Sequence, residues 1–261
     1  MTQKVARIEG RIKAVAVLGP DLGRVDIVGE GLGRGVSSGQ FAMVEAVGRP
    51  DRILLRPYSY FLLPSVDAMS LLVKAVGFGT RGLLQATTGD EVGVLGPLGT
   101  AFPPVRGTCW AVAGGVGAAP FGMQAREAGF RVLFGARSER EAGFARALAD
   151  EGAVVELATD DGSSGFHGSV VDLLAHKLAH ERPPDAIYTC GPSAMMQAVA
   201  AQARRLGIAA WASLEARMGC GIGICRGCAH SDASGAWRCI CVDGPVYPCE
   251  EIFSPEECLD G

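Results

Sequence analysis

The sequence predicts a multi-domain β plus α/β protein: an antiparallel β-barrel, a doubly wound parallel-sheet domain and a small C-terminal module. Three observations predict it. Residues 1–105 run as short β segments punctuated by glycine, residues 106–213 alternate strand and helix patterns, and from 214 to 261 glycine, cysteine and proline dominate. β-Branched residues alternating with polar ones between tight turns favour a barrel. Strand–helix alternation implies a parallel sheet with right-handed crossovers.

The chain has 261 residues, enough for more than one core, with 48% hydrophobic and 20% charged content, as in compact globular proteins. A net charge of −4 gives no electrostatic reason to expect nucleic acid or an acidic membrane surface. No apolar run approaches the ~18 residues of a membrane span. The segment after Met1 has no signal-peptide core, so a cytoplasmic protein is expected. Nine cysteines in that compartment point to metal or redox chemistry rather than disulfide staples.

In the first region the predicted strands are Val5–Leu18, Arg24–Val28, Phe41–Val47, Ile53–Leu63, Met69–Val76 and Glu91–Leu95, with one helix near Thr80–Gln85. In the second they are Trp110–Ala113, Arg131–Phe134, Val154–Ala158, Ala186–Thr189 and Ala209–Ala212. Helical patterns fall between them at Ala118–Glu127, Glu139–Asp150, Val170–Ala179 and Ala194–Leu206. The tail from Leu214 has too few apolar residues for a core of its own, so its shape is expected to come from its cysteines.

Those cysteines read Cys220-Gly-Ile-Gly-Ile-Cys225-Arg-Gly-Cys228, then Cys241 after twelve residues. C-x4-C-x2-C…C is the spacing by which four thiolates hold a plant-type [2Fe–2S] cluster. Glycines let the backbone curl round a cluster and its amides approach the sulfurs. A zinc site more often uses paired C-x2-C knuckles, and free cysteines are often simply buried. Cys239 and Cys241 lie two apart on a predicted extended segment, Trp237–Val242, so they face opposite ways. Register with the following Asp-Gly-Pro turn selects Cys241.

Other stretches offer nucleotide chemistry. Arg56-Pro57-Tyr58-Ser59 combines a forked donor for a pyrophosphate, a flat ring and a short hydroxyl. An Arg-Pro turn in a β protein is also often only a turn. Gly77-Phe78-Gly79-Thr80 sets a hydroxyl and bare amides at a helix start, and Gly96-Pro97-Leu98-Gly99 reads as a tight turn at the barrel's end. Gly114-Gly115-Val116-Gly117 follows an apolar strand and opens a helix, the place for a phosphate-bearing cofactor in a doubly wound sheet. It also suits close strand–helix packing. Cys190-Gly191-Pro192 ends a later strand at the same edge, with Cys190 either facing a nicotinamide or buried as a small apolar residue. Arg137 and Ser138, after the second strand, have the chemistry to meet a 2′-phosphate. The four histidines show no metal-ligand spacing, and His176 and His180 suit a solvated helix face. No general base for a substrate is recognisable.

In this order the motifs resemble the electron-transfer subunits of NAD-dependent dihydroorotate dehydrogenase, within the ferredoxin-reductase-like group. The resemblance spans almost the whole chain and is most specific at Leu214–Cys225 and Cys241-Val-Asp-Gly-Pro-Val246. It implies an FAD-binding barrel (1–105), an NAD-binding α/β domain (106–213) and a [2Fe–2S] module (214–261). It implies FAD contacts at Arg56, Pro57, Tyr58 and Ser59, at Val73, Lys74 and Ala75, and at Gly79 and Thr80. It implies Cys220, Cys225, Cys228 and Cys241 as cluster ligands. Thr100-Ala101 replaces a more usual Asn-Gly, and Cys239, Cys249 and Cys258 are extra. Its further implication is a heterotetramer with an FMN-containing catalytic subunit, from which electrons reach NAD+ through the cluster and FAD. Subunits of NADH-dependent ferredoxin:NADP+ oxidoreductases and cytoplasmic hydrogenases share the arrangement. A non-enzymatic metal sensor would lack the flavin turn.

Overall fold

The computed structural model describes residues 5–45 and 55–254. Seven antiparallel strands form the first sheet: β1 (Ala6–Gly19), β2 (Leu22–Val28), β3 (Phe41–Val44), β4 (Arg56–Ser59), β5 (Leu62–Ser65), β6 (Ala68–Lys74) and β7 (Glu91–Leu98). Their order is β4-β3-β7-β1-β2-β6-β5. The edge strands β4 and β5 are joined by Tyr60 and Phe61, whose amides bond Gln40 and Ser70 carbonyls at 3.2 and 2.9 Å. The sheet is thereby curled on itself around Ile12, Val25, Ile27, Met69, Leu71 and Val94. A short helix, α1 (Phe78–Leu84), lies between β6 and β7.

The single strand expected over Ile53–Leu63 is two, because the chain turns at Tyr60–Phe61 to cross between sheet edges; its first two residues lie outside those described. The end of Phe41–Val47 also falls outside them. Gly96 and Pro97 belong to the end of β7, not to a tight turn: both are buried, and the turn comes at Gly99, φ +74°. A Cβ on Gly96 would lie 2.5 Å from the Tyr60 hydroxyl, which is why this strand end carries no side chain.

The second sheet has order β11-β10-β9-β8-β12-β13-β16. Its strands are β8 (Cys109–Gly114), β9 (Arg131–Ala136), β10 (Val154–Thr159), β11 (Phe166–His167), β12 (Ala186–Cys190) and β13 (Ala209–Ser213), all parallel. The helices are α2 (Gly143–Asp150), α3 (Val170–His180) and α4 (Ser193–Arg205). Alternate strand residues divide between two cores. Val112, Leu133 and Ile187 meet Leu174 and Val199 from α3 and α4. Ala113, Phe134 and Tyr188 meet Phe121, Phe144 and Leu148 on the other face, together with Leu62 and Leu72 of the barrel. His176 and His180 are exposed on α3, and a ring nitrogen of His180 lies 2.7 Å from the His176 carbonyl oxygen.

Where one helix was expected over Ala118–Glu127 there are two 3-10 turns, Gly115–Phe121 and Gln124–Arg126. Pro120 has no amide hydrogen to give and the glycines favour no helix, so an α-helix does not propagate.

The tail contains a hairpin, β14 (Ala229–Ser231) with β15 (Trp237–Cys239), then a helical turn α5 (Ile240–Asp243), β16 (Val246–Pro248) and α6 (Cys249–Ile252). Strand β16 pairs antiparallel with β13 and so extends the second sheet. Cys228, Ile240, Cys241 and Tyr247 share one core with Met43 and Leu98 of the barrel and Met196 of α4. The tail's missing core is supplied by both neighbours.

Candidate functional site

In the cysteine loop, Gly221 and Gly223 take φ of +72° and +82°, and a Cβ on Gly221 would meet Met43 Cγ at 2.6 Å. Left-handed backbone and contact with the barrel together require glycine there. The curl turns amides inward. Ile222 and Cys225 N–H groups donate to Cys220 Sγ at 3.5 and 3.4 Å, Gly227 N–H to Cys225 Sγ at 3.4 Å, and Gly223 N–H to Cys241 Sγ at 3.2 Å. The amide of Cys225 leads in lowering the Cys220 thiol to about 7, while burial pushes Cys241 up to about 12.

The four thiols stand in two pairs. Cys220 neighbours Cys225 through side-chain hydrogen bonding, and Cys228 bonds Cys241. Among the described residues no three metal-ligating groups converge on one point. A two-iron cluster takes two thiolates at each iron, and Cys220, Cys225, Cys228 and Cys241 stand close to one another under the curled loop. The donor set therefore fits a [2Fe–2S] cluster. Cys239 and Cys241 lie not on one extended segment but at the end of β15 and inside α5, because Asp243 turns back to accept the Cys239 amide at 2.6 Å. The chain passes from strand to helical turn between them, and it is Cys241 that is buried under the loop. Cys249 is buried in the tail's core, and Cys258 lies outside the described residues.

On the barrel, Arg56 and the Gly79–Thr80 pair are brought together. A Cβ on Gly79 would strike the Arg56 guanidinium, so the helix start and the arginine share one surface. The Thr80 hydroxyl caps its own helix: it accepts the Val76 and Gly77 amides and donates to the Gly77 carbonyl, each at 3.0 Å. Tyr58 is buried toward the barrel core, where burial lifts its phenol to about 12 and its hydroxyl has no partner. A buried hydroxyl without a partner beside a guanidinium fits a polar group such as a flavin. Pro57 and Ser59 are half-buried on the opposite side of the strand. Val73 is buried, Lys74 bonds Glu141 at 3.2 Å, and the Ala75 amide bonds the Asp21 carbonyl at 2.7 Å.

The strand order of the second sheet changes sense between the parallel neighbours β8 and β12, the switch point where open α/β sheets bind ligands. A cleft of about 1320 Å³ opens there. Gly114, Gly115, Gly117, Gly191 and Pro192 line it, but the buried Cys190 does not. A Cβ on Gly117 would run into the Cys190 carbonyl, so this glycine serves backbone packing, whereas Gly115, φ +56°, has open space beside it. The Ser213 hydroxyl bonds the Cys190 thiol, which burial holds well above its usual range.

Two acids on the cleft wall escaped the sequence reading. Glu215 opens into the cleft, where crowding by surrounding protein raises its carboxyl. Its signal lay inside the Leu214-Glu-Ala-Arg-Met stretch. Glu141 bonds both Lys74 and Arg137, and the one-turn spacing from Arg137 was visible in the sequence. Thr100 stood out in the sequence only as a departure from Asn, and its structural role was not read: its hydroxyl donates to the Val246 carbonyl at 3.0 Å and accepts the Val246 amide at 3.1 Å, clamping barrel to tail.

Residues 215–253 match the family described as the iron-sulfur cluster binding domain of dihydroorotate dehydrogenase B. The chain is 36% identical over 233 residues to the dihydroorotate dehydrogenase B (NAD(+)) electron transfer subunit of Listeria monocytogenes, covering 84% of this chain and 88% of that one. It is 33% identical over 257 residues to the subunit of the same name from Desulforamulus reducens, covering 94% and 97%. Its fold matches a solved NADH-dependent reduced ferredoxin-NADP oxidoreductase with a TM-score of 0.82 at 25% identity, over 98% of this chain and 92% of that one. On this likeness to both relatives over most of its length, the chain belongs to the family of dihydroorotate dehydrogenase B (NAD+) electron transfer subunits.

Proposed function

We propose that this chain is the electron-transfer subunit of an NAD-dependent dihydroorotate dehydrogenase, linking a catalytic partner subunit to NAD+. The observation that carries the reading is the cysteine loop, with its paired thiols and inward amides, packed on the barrel at Met43 and tied by β16 to the nucleotide sheet. When bound, FAD exchanges a hydride with the nicotinamide and the [2Fe–2S] cluster passes single electrons. The protein's part is to hold these centres in line. Cys220, Cys225, Cys228 and Cys241 would hold the cluster, and the loop amides would stabilise their thiolate charge. Arg56 and the start of α1 would hold the flavin's pyrophosphate, with Pro57, Tyr58 and Ser59 along its length and Val73, Lys74 and Ala75 beside it. Gly114, Gly115, Gly117, Gly191 and Pro192 would admit the nicotinamide nucleotide at the switch point. Gly96 and Pro97 would act by keeping the barrel end bare, and Cys190 from behind the wall.

The partner in this reading contains FMN, oxidises dihydroorotate and assembles with this chain two and two. Its compartment is the cytoplasm, where ligand thiols stay reduced. No helix of the described residues is long and apolar enough to cross a membrane. The fold match favours a second reading, a subunit of a ferredoxin-NADP oxidoreductase; the 33–36% identities favour the first. Flavin and metal analysis of the purified chain tests the common core. About one FAD and two irons per chain are expected, and stoichiometric zinc without flavin overturns it.

A further inference from the structure

The second strand of the nucleotide sheet, β9, ends at Ala136, and Arg137 follows it into the cleft wall. At this position in dinucleotide-binding sheets an acid bonds the ribose 2′-hydroxyl, whereas a nearby arginine accommodates a 2′-phosphate. By position alone, Arg137 suits a phosphorylated ribose. Lys74, reaching across from the barrel, lines the same wall and adds a second cation. Glu141 engages both. Its Oε1 lies 2.7 Å from Arg137 Nη2, and its Oε2 accepts from Lys74 Nζ at 3.2 Å. Its side chain is 30% exposed, against 75% for Arg137 and 34% for Lys74, so it is better shielded from solvent than the arginine it holds. Asp160, at the end of β10, lines the wall too and adds negative charge.

We propose that Glu141 sets the preference of this cleft for a nicotinamide nucleotide without a 2′-phosphate. Its two oxygens occupy the two cations that would bind that phosphate, and its charge repels a dianion arriving there. The inference rests on reading the cleft as the nicotinamide-nucleotide site, and on nothing about the partner subunit.

The test uses the flavin-loaded chain and two probes that differ only by the 2′-phosphate, 5′-AMP and 2′,5′-ADP, with dissociation constants measured by calorimetry. Glu141→Gln keeps the side chain's shape and should tighten 2′,5′-ADP about tenfold while leaving 5′-AMP within about twofold. Arg137→Ala added to that variant should remove most of the gain. Alone, in an exposed position that does not threaten folding, Arg137→Ala should weaken 2′,5′-ADP selectively. The ratio of dye reduction by NADPH and NADH should move in parallel. If Glu141→Gln binds 5′-AMP normally and keeps the wild-type ratio of affinities, the inference is overturned and the nucleotide cleft stands. If wild-type protein binds neither probe, the cleft reading fails and takes the inference with it.

Discussion

At Gly79 a single hydrogen separates the α1 backbone from the Arg56 guanidinium, and a methyl there would displace the arginine. Gly79→Ala is therefore expected to loosen FAD without touching the barrel core. Arg56→Ala should weaken flavin binding by about 1.5–3 kcal/mol, the worth of a hydrogen bond to a charged group. Flavin absorbance retained after gel filtration reads both; a variant as yellow as wild type would remove Arg56 from the pyrophosphate site. The proposed fourth cluster ligand is a question of the same scale. Cys241 lies buried and receives the Gly223 amide, whereas the Cys239 amide is tied to Asp243. Cys241→Ser should damage the reduced cluster's EPR spectrum and Cys239→Ala should leave it near normal, and the reverse would exchange their roles. The cysteines were legible in the sequence because their spacing is local and their glycines mark the curl. Glu141 and Glu215 were not, since each matters through what other elements bring to it.

Among the elements, those with plain periodicity were legible and those shaped by their surroundings were not. The strands β8 to β13 alternate between two cores, so their apolar runs stand out. The turn after β8 reads as a helix until Pro120 and the glycines interrupt it, and β7 runs on to Leu98 because Gly96 fits against Tyr60 and Ala42 where a side chain would not. The tail's position depends on the Thr100 clamp, a contact between residues 146 positions apart that no local pattern announces. Thr100→Val leaves the Val246 carbonyl and amide without that hydroxyl, costing about 1–3 kcal/mol, and should show as faster iron loss on mild heating. Iron retention equal to wild type would mean that β16 and the core shared with the barrel and α4 hold the tail without the clamp. At the far end of the sheet, Arg131 and then Lys177 hold the Glu181 carboxyl down from 4.5 to about 2. A depressed carboxylate stabilises the fold above its unfolded pKa and loses that contribution as pH falls toward the folded value. The melting temperatures of wild type and Glu181→Gln should therefore differ near neutral pH and converge on acidification. A constant gap would show that the ion pairs contribute nothing.

For the whole molecule, the arrangement of the three regions bears on what the chain does alone. Both core clusters that join regions run through the cleft-bearing middle of the protein, while one side of the cysteine loop is left outside. There Ile224 is 78% exposed, Ile222 and Val242 are exposed beside it, and Cys225 itself reaches the surface. A bare apolar lip over the Cys225 thiol suits a docking partner, because electron transfer needs short distances and an apolar contact excludes water. In the proposed reading the cleft at the switch point, with Glu215 on its wall, takes the nicotinamide nucleotide and the flavin on this chain exchanges with it. Oxidising dihydroorotate needs a hydride acceptor and a base beside the substrate carbon, and the proposed reading puts both in the partner subunit. If substrate and NAD+ shared one flavin, direct hydride relay would suffice and a one-electron cluster would be idle. The purified chain is therefore expected to oxidise NADH with artificial dyes yet show no dihydroorotate-dependent NAD+ reduction until the catalytic subunit is added. Ile224→Glu should keep dye reduction and the cluster's EPR signal but lose most of the coupled reaction, since a buried unpaired carboxylate costs several kcal/mol at an interface. Steady conversion of dihydroorotate by the chain free of any partner would overturn this division of labour. Undiminished coupling in the Ile224 variant would move the docking surface elsewhere.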